Sequence, residues 1–132
     1  MKNSFQCPKC DGYLNVEDRI ILSADNKNGD SGLLLLDPEI GNYSVETNNH
    51  FSIESGEKYT FFCPICHEPL CSDLHDNLSR IKMTDEEGHV FEVLFSKIAG
   101  EKSTYKIIGE NVDIYGEQAS NYVDFINLSR VK

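Results

Sequence analysis

The stretch Lys58-Tyr59-Thr60-Phe61-Phe62-Cys63-Pro64-Ile65-Cys66 decides how this chain is read, because a strand-like run over 58–62 leads straight into two cysteines spaced by two residues. A second pair, Cys7-Pro8-Lys9-Cys10, repeats the Cys-Pro-x-Cys turn close to the first residue. A turn of this kind aims two sulfurs at a common point, and four thiolates from two turns suit one tetrahedral metal ion at about 2.3 Å. Proline after the first cysteine of both pairs fixes φ and removes an N–H that would need a partner, so the same local geometry is expected twice. Residues 11–62 separate the pairs, far more than the roughly 15–20 residues of a compact CxxC…CxxC site, and something folded is expected in that gap.

With 132 residues the chain has the size of one ordinary domain, large enough for a core and small enough for a metal to add usefully to stability. Its formal net charge is −10, from 22 acidic and 12 basic residues, and the excess is even: 5 Lys/Arg against 10 Asp/Glu up to Cys66, 7 against 12 thereafter. Non-specific phosphate binding draws on Lys and Arg, and a metal held by four thiolates adds a local −2, so nucleic acid is disfavoured and a protein partner fits better. The first cysteine comes before any apolar leader segment forms, and no later run approaches the roughly 18–20 residues of a membrane span. The reading is therefore a cytoplasmic protein. In a reducing compartment, five cysteines with paired CxxC turns point to metal rather than to disulfides.

Strand signals dominate the rest. Tyr13–Val16, Arg19–Leu22 and Leu33–Leu36 are rich in strand formers, the last ended by Asp37-Pro38, with a loop by composition over Asp25–Gly32. Tyr43–Glu46 and Phe51–Glu54 alternate apolar and polar residues about Thr47-Asn48-Asn49-His50 and predict a hairpin. Asp73–Leu78 reads as a short helical turn, Arg80–Thr84 as a return to sheet, and Asp85-Glu86-Glu87-Gly88 as a solvated turn. His89–Phe95 and Thr104–Ile108 predict a second hairpin. Ala119, Tyr122, Val123, Phe125 and Ile126 recur at helical steps and predict a helix over 117–128. Beyond the Cys-Pro-x-Cys turn the sequence shows no internal repeat. The expected class is mainly β (α+β).

Cys7-Pro8-Lys9-Cys10-Asp11-Gly12 and Cys63-Pro64-Ile65-Cys66-His67-Glu68 resemble the two knuckles of the zinc-ribbon (rubredoxin-like) superfamily, with Glu68 where the glycine of the superfamily's pattern falls. The resemblance covers the knuckles and their flanking strands. It implies a Zn²⁺ ion on Cys7, Cys10, Cys63 and Cys66, in a single domain over 1–132. Residues 1–78 would be a zinc ribbon with inserted strands over 13–62, and 79–132 a hairpin and helix packed on it. A rival ligand set, Cys63, Cys66, Cys71 and His75, closes within the second half but strands Cys7 and Cys10. Iron suits the same S₄ geometry, but no electron-transfer context accompanies it.

No P-loop, GxGxxG, GxSxG or HExxH pattern is present, which points away from an enzyme. Cys71 is left over: a small buried hydrophobe on the plain reading, a nucleophile or sensor activated by His67 or His75 on the sharper one. His50 and His89 read as surface residues, and Phe61, Phe62, Phe91, Phe95 and Tyr105 as core. The leading expectation is a non-enzymatic zinc-binding protein-interaction module. The alternatives are a nucleic-acid-associated ribbon using Lys2, Lys9 and Arg19, or a thiol-based redox sensor or enzyme using Cys71.

Overall fold

A computed structural model describes residues 3–16, 19–37, 39, 45–47, 51, 53–72, 76–109 and 111–118. Among them ten strands form two antiparallel sheets and no helix occurs. The strands are β1 (Ser4–Gln6), β2 (Asn15–Val16), β3 (Arg19–Asp25), β4 (Ser31–Leu36), β5 (Val45–Thr47), β6 (Thr60–Phe62), β7 (Leu78–Thr84), β8 (Val90–Ser96), β9 (Thr104–Ile108) and β10 (Asn111–Tyr115). One sheet runs β1-β7-β8-β9-β10; the other runs β2-β3-β4-β5, with β6 also paired to β3.

The alternation of β3 and β7 explains where the core lies. Ile20, Leu22 and Ala24 point one way from β3, Ile81 and Met83 one way from β7, and all are buried. They meet in one cluster with Phe5, Leu14, Leu34, Phe61, Leu70 and Val93, drawn from both sheets. Leu94, next to Val93 and therefore on the other face of β8, belongs to a second cluster with Leu78, Tyr105 and Ile107. Of the aromatic residues expected in the core, Phe61 and Tyr105 are buried, Phe91 and Phe95 are half-buried against it with the Phe61 and Phe95 rings 5.6 Å apart, and Phe62 is half-buried without joining the cluster.

The registers reveal an internal duplication, which corrects the expectation of no repeat. An offset of 56 carries β1 onto β6 (Ser4 to Thr60), and an offset of 59 carries β3 onto β7 (Arg19 to Leu78), β4 onto β8 (Ser31 to Val90) and the start of β5 onto that of β9 (Val45 to Thr104). Pairings are carried over with them: Ile21↔Leu35 becomes Arg80↔Leu94, and Leu36↔Val45 becomes Phe95↔Thr104. The β3–β4 and β7–β8 turns are the same object. Asn26 N–H donates to the Asp30 carbonyl at 3.0 Å, as Asp85 N–H does to His89 at 3.0 Å, and Gly29 and Gly88 supply φ of 88° and 90°. The gap between the cysteine pairs is therefore not an insertion but the first copy's own sheet.

The copies exchange strands. β1, from the first, pairs with β7 of the second through Phe5↔Met83, and β6, from the second, pairs with β3 of the first through Phe61↔Ala24. These are equivalent contacts made twice, the signature of an isologous, two-fold arrangement. β10 extends one sheet and has no counterpart among the described residues.

Other expectations fall differently. β5 pairs with β4, while residues 43, 44, 48–50 and 52 of the predicted first hairpin lie outside the described residues. The second hairpin is present as β8–β9. No C-terminal helix is supported: Glu117 and Gln118 form a turn, with Gln118 N–H donating to the Lys102 carbonyl at 2.9 Å, and 119–132 lie outside the described residues. Of the predicted helical turn, 73–75 lie outside them too, and Leu78 opens β7.

Candidate metal centre

Each Cys-Pro-x-Cys turn caps a short hairpin. In the first, Leu14 N–H donates to the Phe5 carbonyl (2.7 Å) and Gln6 faces Tyr13; in the second, Leu70 N–H donates to Phe61 (2.8 Å) and Phe62 faces Pro69. Leu14 and Leu70, each 1 % exposed, pin the returning arms into the core, a burial that stabilises by about 1.5–3 kcal/mol per side chain.

Within the knuckles the hydrogen bonds repeat atom for atom. Cys7 N–H donates to the Gly12 carbonyl and Asp11 N–H to Cys7 (3.0 and 2.9 Å); Cys63 N–H donates to Glu68 and His67 N–H to Cys63 (3.0 and 2.9 Å). The backbone turns left-handed at Asp11 (φ 63°) and His67 (φ 66°), a region that Asp and His enter more readily than most residues. Glu68 is thus no defect, because the left-handed residue precedes it. Gly12 is favoured for a different reason: a Cβ there would lie 2.6 Å from Cδ1 of Ile65, the exposed side chain that overhangs it from the opposite knuckle and would have to shift to make room.

The two turns bring four sulfurs together. Sγ of Cys7 lies 3.8 Å from Sγ of Cys66, and Sγ of Cys10 lies 3.8 Å from Sγ of Cys63. All four lie within 4.8 Å of one another. A disulfide would need about 2.05 Å, whereas sulfurs about 2.3 Å from the centre of a tetrahedron stand about 3.8 Å apart. The cluster therefore fits a metal ion. Both close pairs join one knuckle to the other and are equivalent under the duplication, so the centre of the cluster lies on the two-fold relation between the copies.

Backbone amides prepare the sulfurs for negative charge. Lys9 and Cys10 N–H point at Cys7 Sγ (3.3 and 3.5 Å), Ile65 and Cys66 N–H at Cys63 Sγ (3.3 and 3.5 Å), and Gly12 N–H at Cys10 Sγ (3.4 Å). Burial pushes the Cys7 thiol up in spite of its two amides. Burial also opposes ionisation of Cys63, but the amides of Cys66 and Ile65 and the thiols of Cys66 and Cys10 outweigh it and hold that thiol down. At Cys66 the Glu68 amide favours the thiolate, yet desolvation and the sulfurs of Cys10, Cys63 and Cys7 dominate and push it up to about 12. One thiolate is thus favoured and further ones are resisted, an imbalance that a bound cation removes.

No family model, curated protein or solved structure matches this chain.

The other sequence-predicted residues lie elsewhere. Cys71 is outside the cluster and exposed, so it is not the buried hydrophobe of the plain reading. Its sulfur accepts from Lys97 Nζ at 3.2 Å, a partner with no signal in the sequence. His75 and His50 lie outside the described residues, and the rival set is not assembled among those described. His67 supplies the left-handed turn rather than a metal ligand. Asp85, Glu87 and His89 also converge, at an exposed hairpin tip. There Asp85 Oδ1 accepts from the Glu87 and His89 amides (3.0 and 2.8 Å), as Asn26 Oδ1 does from Asn28 and Asp30 (2.9 and 3.0 Å), so its work is turn formation. Lys82 of β7 forms an ion pair with Asp11 beside the first knuckle, a further tie between the copies. A cleft of about 270 Å³ opens where Ile20, Leu34, Phe61, Ile81 and Val93 converge, with Glu101 and Lys102 among its charged lining. No described helix is long and apolar enough to cross a membrane.

Proposed function

We propose that this protein is a non-enzymatic, cytoplasmic zinc-binding module in which Cys7, Cys10, Cys63 and Cys66 hold one structural Zn²⁺ and the acidic surface engages a protein partner. The observation that carries the reading is the pair of 3.8 Å sulfur separations joining the knuckles. Four cysteines and no open position describe a closed structural site rather than a catalytic one, which keeps a place for water or substrate. Four thiolates suit iron as well as zinc, and zinc is favoured because it is the usual ion of a closed four-cysteine structural site. A net charge of −10 favours a basic protein surface over nucleic acid as the partner.

Mass spectrometry of the untagged chain under native and denaturing conditions tests the reading. The expected native mass exceeds the denatured one by a single zinc, and the excess disappears when Cys7 and Cys10 are both changed to serine. Metal retained in that double variant would overturn the site. Iron in the native species would overturn the metal.

A further inference from the structure

We propose that Cys71 and Lys97 form a second, metal-independent site: a surface thiol oxidised by small hydroperoxides, with the Lys97 ammonium as proton donor. Lys97 is only 6 % exposed. Its backbone is clamped on both sides, its N–H donating to the Asn77 carbonyl at 2.7 Å and its own carbonyl accepting from Tyr59 N–H at 2.9 Å. The side chain is thus delivered from a rigid support, and Nζ ends 3.2 Å from Cys71 Sγ. Among the described residues the ammonium has no carboxylate within ion-pairing distance. A largely buried cation needs an anion or a strong acceptor, and this sulfur is the group placed to serve.

The duplication supplies an independent argument. Position 71 corresponds to Asn15 under the offset of 56 that carries Ser4 to Thr60. Asn15 performs a structural task, its Oδ1 accepting the Phe5 N–H at 3.0 Å. Its counterpart Cys71 instead turns its sulfur to solvent and to Lys97. The first copy shows what the position needs for folding, and the second has a nucleophile paired with a cation there.

The thiolate is the reactive form of cysteine. Its sulfur attacks one oxygen of the hydroperoxide, an S–O bond forms and the O–O bond breaks. The leaving oxygen takes a proton from the Lys97 ammonium and departs as water or an alcohol, leaving Cys71 as a sulfenic acid and Lys97 as an amine that regains its proton from solvent. The hydroperoxide is the oxidant and is itself reduced.

The test is peptide-resolved mass spectrometry of the full chain as purified, with its metal, after pulses of hydrogen peroxide and trapping with dimedone. Cys71 is expected to acquire the adduct at least about tenfold faster than free cysteine at pH 7, where only a few per cent of an ordinary thiol is thiolate. Cys7, Cys10, Cys63 and Cys66 are expected to remain unmodified meanwhile. Lys97→Met should abolish the advantage and Lys97→Arg should retain most of it. Should Lys97→Met not fold, the wild-type ratio to free cysteine decides. A Cys71 rate equal to that of free cysteine, a rate unchanged in a folded Lys97→Met protein, or oxidation of the four clustered cysteines ahead of Cys71 would each overturn the proposal. Loss of the metal site in the native-mass experiment would leave the comparison of Cys71 with free cysteine and the Lys97 variants intact, because they read a different sulfur.

Discussion

His67 holds a φ of 66° without being glycine, and Asp11 a φ of 63°. A side chain in this region costs about 1–2 kcal/mol, so both knuckles carry local strain. Asp11 is held by its ion pair with Lys82, which makes His67 the cleaner probe. His67→Gly is expected to raise stability by about 0.5–1 kcal/mol, the backbone relief being partly offset by the greater freedom of glycine in the unfolded chain. Urea midpoints of the metal-loaded proteins measure it, and an unchanged or lower midpoint would contradict the account. The buried pair Leu14 and Leu70 predicts that Leu14→Ala and Leu70→Ala each cost about 2–5 kcal/mol. At this scale the cysteines were legible, because two Cys-Pro-x-Cys turns are specific. Which residue takes the left-handed backbone was not: neither Asp11 nor His67 is glycine, and the one glycine of the pattern, Gly12, follows the left-handed position and lies under the Ile65 side chain.

Strands rich in strand formers or leading into cysteine, such as β3, β6, β8 and β9, could be read directly; β3 shows the period of two that burial of one face imposes, whereas β8 buries Val93 on one face and Leu94 on the other. Their duplication could not. The offset changes from 56 to 59 between Leu70 and Leu78, and few pairs stay identical once Leu14 and Leu70, Gly29 and Gly88, and Leu35 and Leu94 are counted. The hydrogen-bond pattern survives where side chains do not. The β7–β8 turn shows this: burial works against the Asp85 carboxylate, but the His89 and Glu87 amides and the His89 ring outweigh it and hold its pKa below the ordinary 3.8. A carboxylate depressed in the folded state contributes stability above its unfolded value, and that contribution is lost as pH falls through the folded one. Asp85→Asn keeps the acceptor oxygen, as Asn26 does in the first copy. The variant should therefore fall below wild type near pH 7, lose less stability on acidification and converge with it by about pH 3, as followed by urea midpoints across that range. An equal acid loss in both proteins would remove the assignment.

For the whole molecule, the cluster lies where the two copies face each other, so a metal held there, as proposed, would secure the same joint as the strand exchange. Removing the metal by chelation should lower the melting temperature and expose amides of β3 and β7 together rather than those of one copy alone; hydrogen exchange resolved by strand checks this. Because the thiols resist collective ionisation, metal binding should release about three to four protons per ion, and affinity should fall steeply as pH drops. Titration calorimetry in buffers of different ionisation enthalpy counts them, and release of fewer than about two would exclude four-thiolate ligation. The exchanged strands also bear on how the chain is made. β3 leaves the ribosome before β6, its partner, has been synthesised, and β1 must wait for β7. Two nascent or refolding chains held close together can satisfy these edges reciprocally, each lending β1 and its cysteine pair to the other. Concentrated refolding should then yield intertwined dimers that hold as much metal per chain as the monomer, since the swap keeps every native contact and changes only which chain supplies it.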